Sequence, residues 1–294
     1  MHPNPDDPWK DFPIMRALDP EVVDAVWSAV EARLPPRPRD DHPLGCHRPR
    51  VDDRTCFDGI LVRLVTGCSW VDAERLIGNR VSDTTLRARR DEWVGCGLFD
   101  SLAAEALAAY DRIIGLNLAD CSVDASIQKA PRAEGEIGPS PVDRGKRGWK
   151  WSLFADGNGI PLGWVAAGAN RNDCALLGQT LAAVATRGLM ADCATLHLDR
   201  GYDNGVVRAE VAAAGIGYLV CSKVRPRGEG SVKKSVPLGL RWPIERTNAW
   251  LSNFGQLRRN TDRAVAHRVA HLALAVVFLL TAKLIDWRDR WSPT

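Results

Sequence analysis

Three carboxylates stand where the sequence patterning puts polar groups at the ends of regular structure. They are Asp124 in Ser122-Val-Asp124-Ala-Ser126, Asp199 in Leu196-His-Leu-Asp199-Arg-Gly-Tyr-Asp203, and Glu245 in Gly239-Leu-Arg-Trp-Pro-Ile-Glu245-Arg-Thr-Asn-Ala-Trp-Leu251. Carboxylate oxygens are the ligands that hard divalent cations take. Phosphodiester transfer uses two such cations about 3.5–4 Å apart, one activating the attacking oxygen and one stabilising the leaving oxygen. Each residue alone has a plainer explanation. A strand-end Asp is usually a turn former or a cap, and a Glu in the first turn of a helix usually complements the helix dipole, worth well under ~1 kcal/mol when exposed. The set means more than its members only if the three converge. Without metal they would then repel, leaving the site splayed or partly protonated.

The elements around them decide whether convergence is feasible. From Asp120 the periodicity is two, with Cys121, Val123 and Ala125 alternating with Ser122, Asp124 and Ser126, so Asp124 faces the polar side of a strand between small hydroxyls. Trp149 to Ala155 and Ile160 to Ala167 read as strands joined by Asp156-Gly-Asn-Gly159, a hairpin signal. Asp173 is placed to cap a helix from Cys174 to Arg187. Thr195 to Asp199 is the next strand, followed by a helix from about Asn204 to Ala214 and a short strand, Gly217 to Cys221. A hairpin meander followed by parallel crossovers makes a mixed sheet with helices on both faces, in which ligand groups gather at strand ends. Asp203 rivals Asp199, but it directly precedes Asn204 and reads better as a helix cap. Pro243 suits the first turn of a helix on which Glu245, Asn248 and Ser252 lie together beside the apolar face of Ile244, Thr247, Trp250, Leu251 and Phe254.

The first third of the chain is helical. Residues 1–19 read as a loose leader, Asp19 to Leu34 as a helix, and 35–51 as a Pro/Arg/Asp linker. Asp53 is placed to cap a helix ending at Gly67, and Trp70 to Ile77 gives a short second helix. Ser82 caps a third, Asp83 to Val94, which carries Thr84, Thr85, Arg87 and Arg90. Short helix, turn and basic helix is the pattern by which helix-turn-helix modules face a DNA groove, although a solvated arginine face is the plainer reading. A longer helix spans about Asp100 to Leu116.

The 294 residues carry a net charge of +3, too small to announce a nucleic-acid partner, so position must decide. Lys223 to Arg268 holds eleven Lys or Arg against three acidic residues, which marks a phosphate-facing surface. Residues 128–148, with Lys146 and Arg147, form a second basic segment, expected to be a mobile loop. The eight cysteines show no paired spacing and read as reduced core thiols. His42, Cys46 and His47 lack a second pair for structural zinc. No secretory signal pattern opens the sequence, and the apolar run Leu272 to Ala282 is short of the ~20 residues that cross a bilayer. The expectation is a cytoplasmic protein with no membrane partner.

Taken together, Ser122-Val-Asp124-Ala-Ser126, Arg147-Gly-Trp-Lys150 running into Gly159-Ile-Pro-Leu-Gly163, Gly168-Ala-Asn-Arg-Asn-Asp173, Leu198-Asp199-Arg-Gly-Tyr202 and Arg241-Trp-Pro-Ile-Glu245-Arg-Thr-Asn-Ala-Trp250 resemble the DDE transposases of bacterial insertion sequences, in the insertion sequence five-like group. The likeness runs from about residue 40 to 285. It implies an α/β protein with a ribonuclease-H-like mixed five-stranded sheet flanked by helices, preceded by a small all-α helix-turn-helix-like domain. The division expected is 1–50 as leader, helix and linker, 51–118 as the DNA-binding domain, and 119–294 as the catalytic domain with basic loops 128–148 and 222–239. By resemblance Asp124, Asp199 and Glu245 are the metal triad, holding two Mg²⁺ ions, with Mn²⁺ as an alternative. Thr84, Thr85, Arg87, Arg90, Lys146, Lys150, Arg147, Arg241, Arg246, Arg258 and Arg259 are the DNA-facing candidates. The implied partners are terminal inverted repeats and target DNA, both double-stranded, and a homodimer or higher assembly. Two departures stand out: Ser252 where many relatives carry Lys or Arg, and Gly255-Gln256 where they often carry a basic pair. A nuclease without strand transfer, and a non-catalytic DNA-binding descendant of a transposase, are the alternative readings.

Overall fold

The computed structural model describes residues 17–36, 50–221 and 239–291. The leader up to residue 16, the His42/Cys46/His47 group and most of the expected basic loop at 222–239 lie outside them. The chain divides into two units, Met1–Ile114 with Ala273–Thr294, and Gly115–Leu272. This differs from the expected division at the C-terminal end, where residues 273 onwards group with the helical unit.

In the helical unit, α1 (Pro20–Glu31) starts at Pro20 with Asp19 accepting from the Glu21 N–H, and buries Val22, Val23, Val26 and Val30. Helix α2 (Asp53–Thr66) is capped by Asp52, not Asp53, because the Asp53 carboxylate is drawn into a buried ion pair with Arg89. Helix α3 (Trp70–Leu76) begins after Ser69, and α4 (Asp83–Gly95) after Ser82, whose hydroxyl accepts from the Thr85 N–H. Gly59 lets α2 and α4 approach closely: a Cβ there would meet Leu86 at 2.7 Å. Helix α5 (Leu98–Ile113) follows. The core joins Phe57, Ile60, Leu64, Trp93, Phe99 and Tyr110, and Phe57 stacks on Phe278 with ring centroids 6.3 Å apart.

The second unit holds a six-stranded sheet. Strand β1 (Asp120–Lys129) pairs antiparallel with β3 (Arg147–Ala155), which pairs antiparallel with β4 (Pro161–Gly168). On its other edge β1 pairs parallel with β5 (Thr195–His197), and β5 pairs parallel with β6 (Tyr218–Val220). This is the ribonuclease-H-like order, and it makes the strands bearing Asp124 and Asp199 neighbours. The sixth strand, β2 (Gly138–Pro139), is a two-residue addition to β3. It lies in the segment expected to be a mobile loop, which is instead pinned by Ala130 N–H to Arg147 O, Ser140 N–H to Lys146 O, and the Arg268 guanidinium donating to carbonyls 134 and 135. Helix α6 (Cys174–Ala185) covers one face, where the Thr180 hydroxyl meets Ser152 at 2.8 Å. Helix α7 (Gly205–Ala213) is capped by Asn204, not by Asp203. Helix α8 (Trp242–Ser252) covers the other face, the short α9 (Gly255–Arg258) follows it, and α10 (Val265–Trp291) ends the described chain. By length and apolar composition α10 could cross a bilayer, yet 72% of its most apolar stretch is buried inside the protein, as a core helix requires.

The hairpin turn that meets α8 depends on Asp156. Its carboxylate accepts from the N–H groups of Asn117 (2.9 Å), Asn158 (2.9 Å) and Ile160 (2.7 Å) and is fully buried. Asp156→Ala leaves those donors unpaired, at about 1–3 kcal/mol for each buried group. Equilibrium urea unfolding is expected to show a loss of about 3 kcal/mol or more.

Candidate active site: three carboxylates around one guanidinium

The polar row of β1 meets one stripe of α8. In an extended strand Asp124, Ser126 and Gln128 share a face, and in a helix Glu245, Asn248 and Ser252 do. The Asn248 amide donates to Asp124 Oδ2 at 3.2 Å, and Gln128 donates to the hydroxyls of Ser252 at 3.1 Å and Ser126 at 2.8 Å. Behind this seam the buried Trp151 indole N–H donates to Asn248 Oδ1 at 2.9 Å. The start of α8 is fixed against the β3–β4 turn: Thr247 donates to Gly159 O, and Arg246 Nη2 donates to Asn158 O at 2.8 Å. Gly159 has φ +77°, and a Cβ there would meet Pro243 O at 2.8 Å, so no other residue lets the helix come this close.

Asp199 follows β5 by two residues, at the start of a single 3₁₀ turn in which its carboxylate makes no capping bond. His197 on the same strand accepts from the Leu240 N–H at Nδ1 (3.1 Å) and is 2.8 Å from Asp120 through Nε2. An acceptor Nδ1 puts the proton of neutral His197 on Nε2. The strand that carries Asp199 thereby anchors the residue that precedes Arg241. Asp203 is engaged elsewhere, by Arg208 at 2.5 Å.

All three carboxylates face one guanidinium. Arg241 lies 3.8 Å from Asp124, 3.7 Å from Asp199 and 3.5 Å from Glu245. Exposure grades across the set, from 23% for the Asp124 side chain to 45% for Glu245 and 52% for Asp199, so the site is a cleft wall open on one side. Burial holds the Asp124 carboxyl above the usual carboxylate range; Arg241 and the Ala125 N–H oppose the rise, while the charges of Asp173 and Glu245 add to it. The all-oxygen donor set suits a hard cation. Among the described residues, however, no three His, Cys, Asp or Glu side chains stand close enough to share one metal ion as they are. The focus is held by the arginine.

Other sequence-derived candidates divide by burial. Lys146, Arg147, Arg258 and Arg259 are exposed, and Lys129 joins Arg259 through a bridge between their backbones, which gathers basic side chains near the end of β1. Lys150 and Arg90, expected on a DNA-facing surface, are buried instead. Lys150 donates to Arg171 O at 2.7 Å and pairs with Asp173 at 2.5 Å, and the Arg90 guanidinium lies over Trp70, 5.0 Å from the ring centre. Arg246 is clamped between Trp242 and Trp250, 4.5 and 4.6 Å from their rings. On α4, Thr84 and Arg87 are exposed, Arg87 pairing with Asp83 at 2.7 Å, and Thr85 is half-buried beside Ser82. The two departures are structural. Ser252 serves Gln128, and Gln256 is fully buried, donating to Asp262, which pairs with His271.

Two site residues escaped the sequence reading. Asn248 was placed beside Glu245 without a role, although its spacing of three residues put it over the strand. Tyr202 is buried with its hydroxyl lacking a hydrogen-bond partner among the described residues, and burial together with the charges of Asp173, Asp124 and Asp199 pushes its phenol up.

Residues 120–280 match the family model "Transposase DDE domain", and residues 22–103 match "Putative transposase of IS4/5 family". The first match spans more than half of the chain, and the chain belongs to the DDE-domain transposase family. A curated relative from Burkholderia cepacia, "Putative transposase for insertion sequence element IS402", is 34% identical over 144 residues, which are 47% of this chain and 65% of that protein, just under two thirds of its length. Two solved structures overlap weakly. One is the Mos1 transposase paired-end complex with left transposon end (13% identity, 68% of this chain, 73% of that chain, TM-score 0.25). The other is a pre-cleavage Mos1 transpososome (8%, 92%, 87%, TM-score 0.26). Likeness this shallow says nothing about the geometry of the present site.

The Trp151–Asn248–Asp124 chain makes a thermodynamic prediction. Asn248→Ala and Trp151→Phe are each expected to cost about 1–3 kcal/mol by leaving a buried polar group unpaired. Because they share one hydrogen-bond chain, the double variant should lose at least ~0.5 kcal/mol less than the two losses added together, as read by a double-mutant cycle in chemical denaturation.

Proposed function

We propose that this protein is a DNA transposase that cuts at the terminal inverted repeats of its element and joins the freed 3′ end to target DNA. The observation that carries this reading is the shared focus of Asp124, Asp199 and Glu245 in a chain of the DDE-domain family. Two bound divalent cations, Mg²⁺ or Mn²⁺, would supply activation of the attacking oxygen and charge relief at the leaving oxygen. The protein's own part is positional. Asp124 offers an oxygen fixed by Asn248, Asp199 is presented beyond a strand end, and Glu245 sits in the first turn of a helix docked on the same sheet. Water is the first nucleophile, and the 3′ hydroxyl it releases is the second: beside the same carboxylates it would attack a phosphodiester of the target strand, forming the new P–O bond and expelling the target's own 3′ hydroxyl, without a covalent protein intermediate.

DNA is proposed to run over the exposed Lys129, Lys146, Arg147, Arg258 and Arg259, with Thr84 and Arg87 of α4 reading the inverted repeat. Joining two ends calls for a dimer or a larger assembly. A nuclease without strand transfer uses the same carboxylates, so only the joined product separates the two reactions.

The test is incubation with the element's own ends, target plasmid and Mg²⁺, with products resolved on gels. Asp124→Ala, Asp199→Ala and Glu245→Ala should each lower cleavage at least about a hundredfold, a loss of roughly 3 kcal/mol of transition-state stabilisation. Wild-type rates in any of them remove that residue from the site, and cuts without joined products select the nuclease.

A further inference from the structure

We propose that Arg241 is a positioning residue that stands in for the divalent cations: it gathers Asp124, Asp199 and Glu245 in the metal-free protein and gives up that place when metal binds. The proposal rests on the metal-site reading above and specifies how the three carboxylates are held together before metal binds.

Three observations carry it. First, the guanidinium is shared. It stands 3.5–3.8 Å from one oxygen of each carboxylate, and those residues come from a strand, a strand-end turn and a helix. Three anions on separate elements would otherwise repel, and one cation at their focus relieves all three pairs at once. Second, it is held by the field rather than by bonds. All three separations exceed hydrogen-bond length, and Arg241 Nε is buried with no hydrogen-bond partner among the described residues. A guanidinium with a buried unpaired Nε and its Nη atoms beyond hydrogen-bond length of three carboxylates is not at the end point of its own bonding. Arg246, by contrast, is fixed by a carbonyl and two indoles and cannot leave without cost. Third, the backbone entering Arg241 is anchored by the Leu240 N–H on His197, so the side chain can swing while its Cα stays.

The consequence is competition. A guanidinium next to the ligand oxygens opposes a dication by like-charge repulsion, and metal releases it into the open side of the cleft, where a phosphate can take it. Loading the carboxylates and freeing a phosphate-binding arginine become one event.

Mn²⁺ binding to the full-length protein without DNA, followed by electron paramagnetic resonance, tests this independently of catalysis. Arg241→Gln should bind Mn²⁺ roughly tenfold tighter than wild type, because one positive charge has gone from beside the ligands. Arg241→Lys, which keeps the charge, should stay near wild type. Unchanged or weaker binding by Arg241→Gln overturns the proposal. Should that variant fold poorly without metal, wild-type protein answers alone: adding Mg²⁺ should shift the side-chain ¹⁵N–¹H resonance of Arg241, and a still resonance overturns the idea. The underlying metal-site reading has its own signature, since Asp124→Asn must weaken Mn²⁺ binding. If Asp124→Asn leaves it intact, the site reading has failed; if only the Arg241 arms fail, the site stands without its surrogate.

Discussion

The seam between one row of β1 and one stripe of α8 is the constraint on which the site depends. A strand presents a polar residue every second position and a helix every third or fourth, so two such rows can be matched over only a few residues. Here the match is Asp124 with Asn248 and Gln128 with Ser252, and it occurs because the β3–β4 turn receives the start of α8 without a side chain in the way. Glu245 owes its place to this docking. The dipole at a helix start would favour a glutamate anywhere in a first turn, but only the seam brings this one to the sheet edge where Asp199 emerges.

Arginine has three different uses around this seam, and their surroundings separate them. Arg246 lies between two indoles, which satisfies its flat faces and makes it part of the packing. Arg268 is fully buried, donating to backbone carbonyls beside Trp149, and its charge is disfavoured by desolvation. Among the described residues, Arg241 meets the three carboxylates and has neither an aromatic slot nor a carbonyl. The same side chain is thus a packing element, a cap for loop carbonyls and a charge shared among three carboxylates, according to what surrounds it.

What could be read from the sequence follows from what local pattern encodes. The alternation through Cys121, Val123 and Ala125 reveals β1 and the facing of Asp124, and the Pro243 start reveals α8, because both are set by neighbours within a few residues. Burial of cations is not so encoded. Lys150 finds Asp173 twenty-three residues away and Arg90 finds Trp70 across a turn, so both read as surface charges until the fold brings the partners in. Asp53 looked like a cap for a similar reason, its true partner being Arg89 on another helix. The Arg246 clamp is encoded locally, since Trp242 and Trp250 lie four residues on either side of it in one helix, yet the sequence reading places the residue on the DNA-facing surface. The sharing of Arg241 was not, because it requires the positions of three separate elements at once.

The stacking of Phe57 on Phe278 has a consequence for biosynthesis. The helical unit draws its residues from two separate stretches of sequence, and Phe278, which stacks on Phe57, is synthesised long after it. A domain normally folds as soon as its own segment emerges. Here the sheet unit is encoded between the two parts, so Phe57 has its neighbour Trp27 from the start but gains Phe278 only after the sheet has been synthesised. The helical unit therefore cannot be completed before the strands of the sheet have been made.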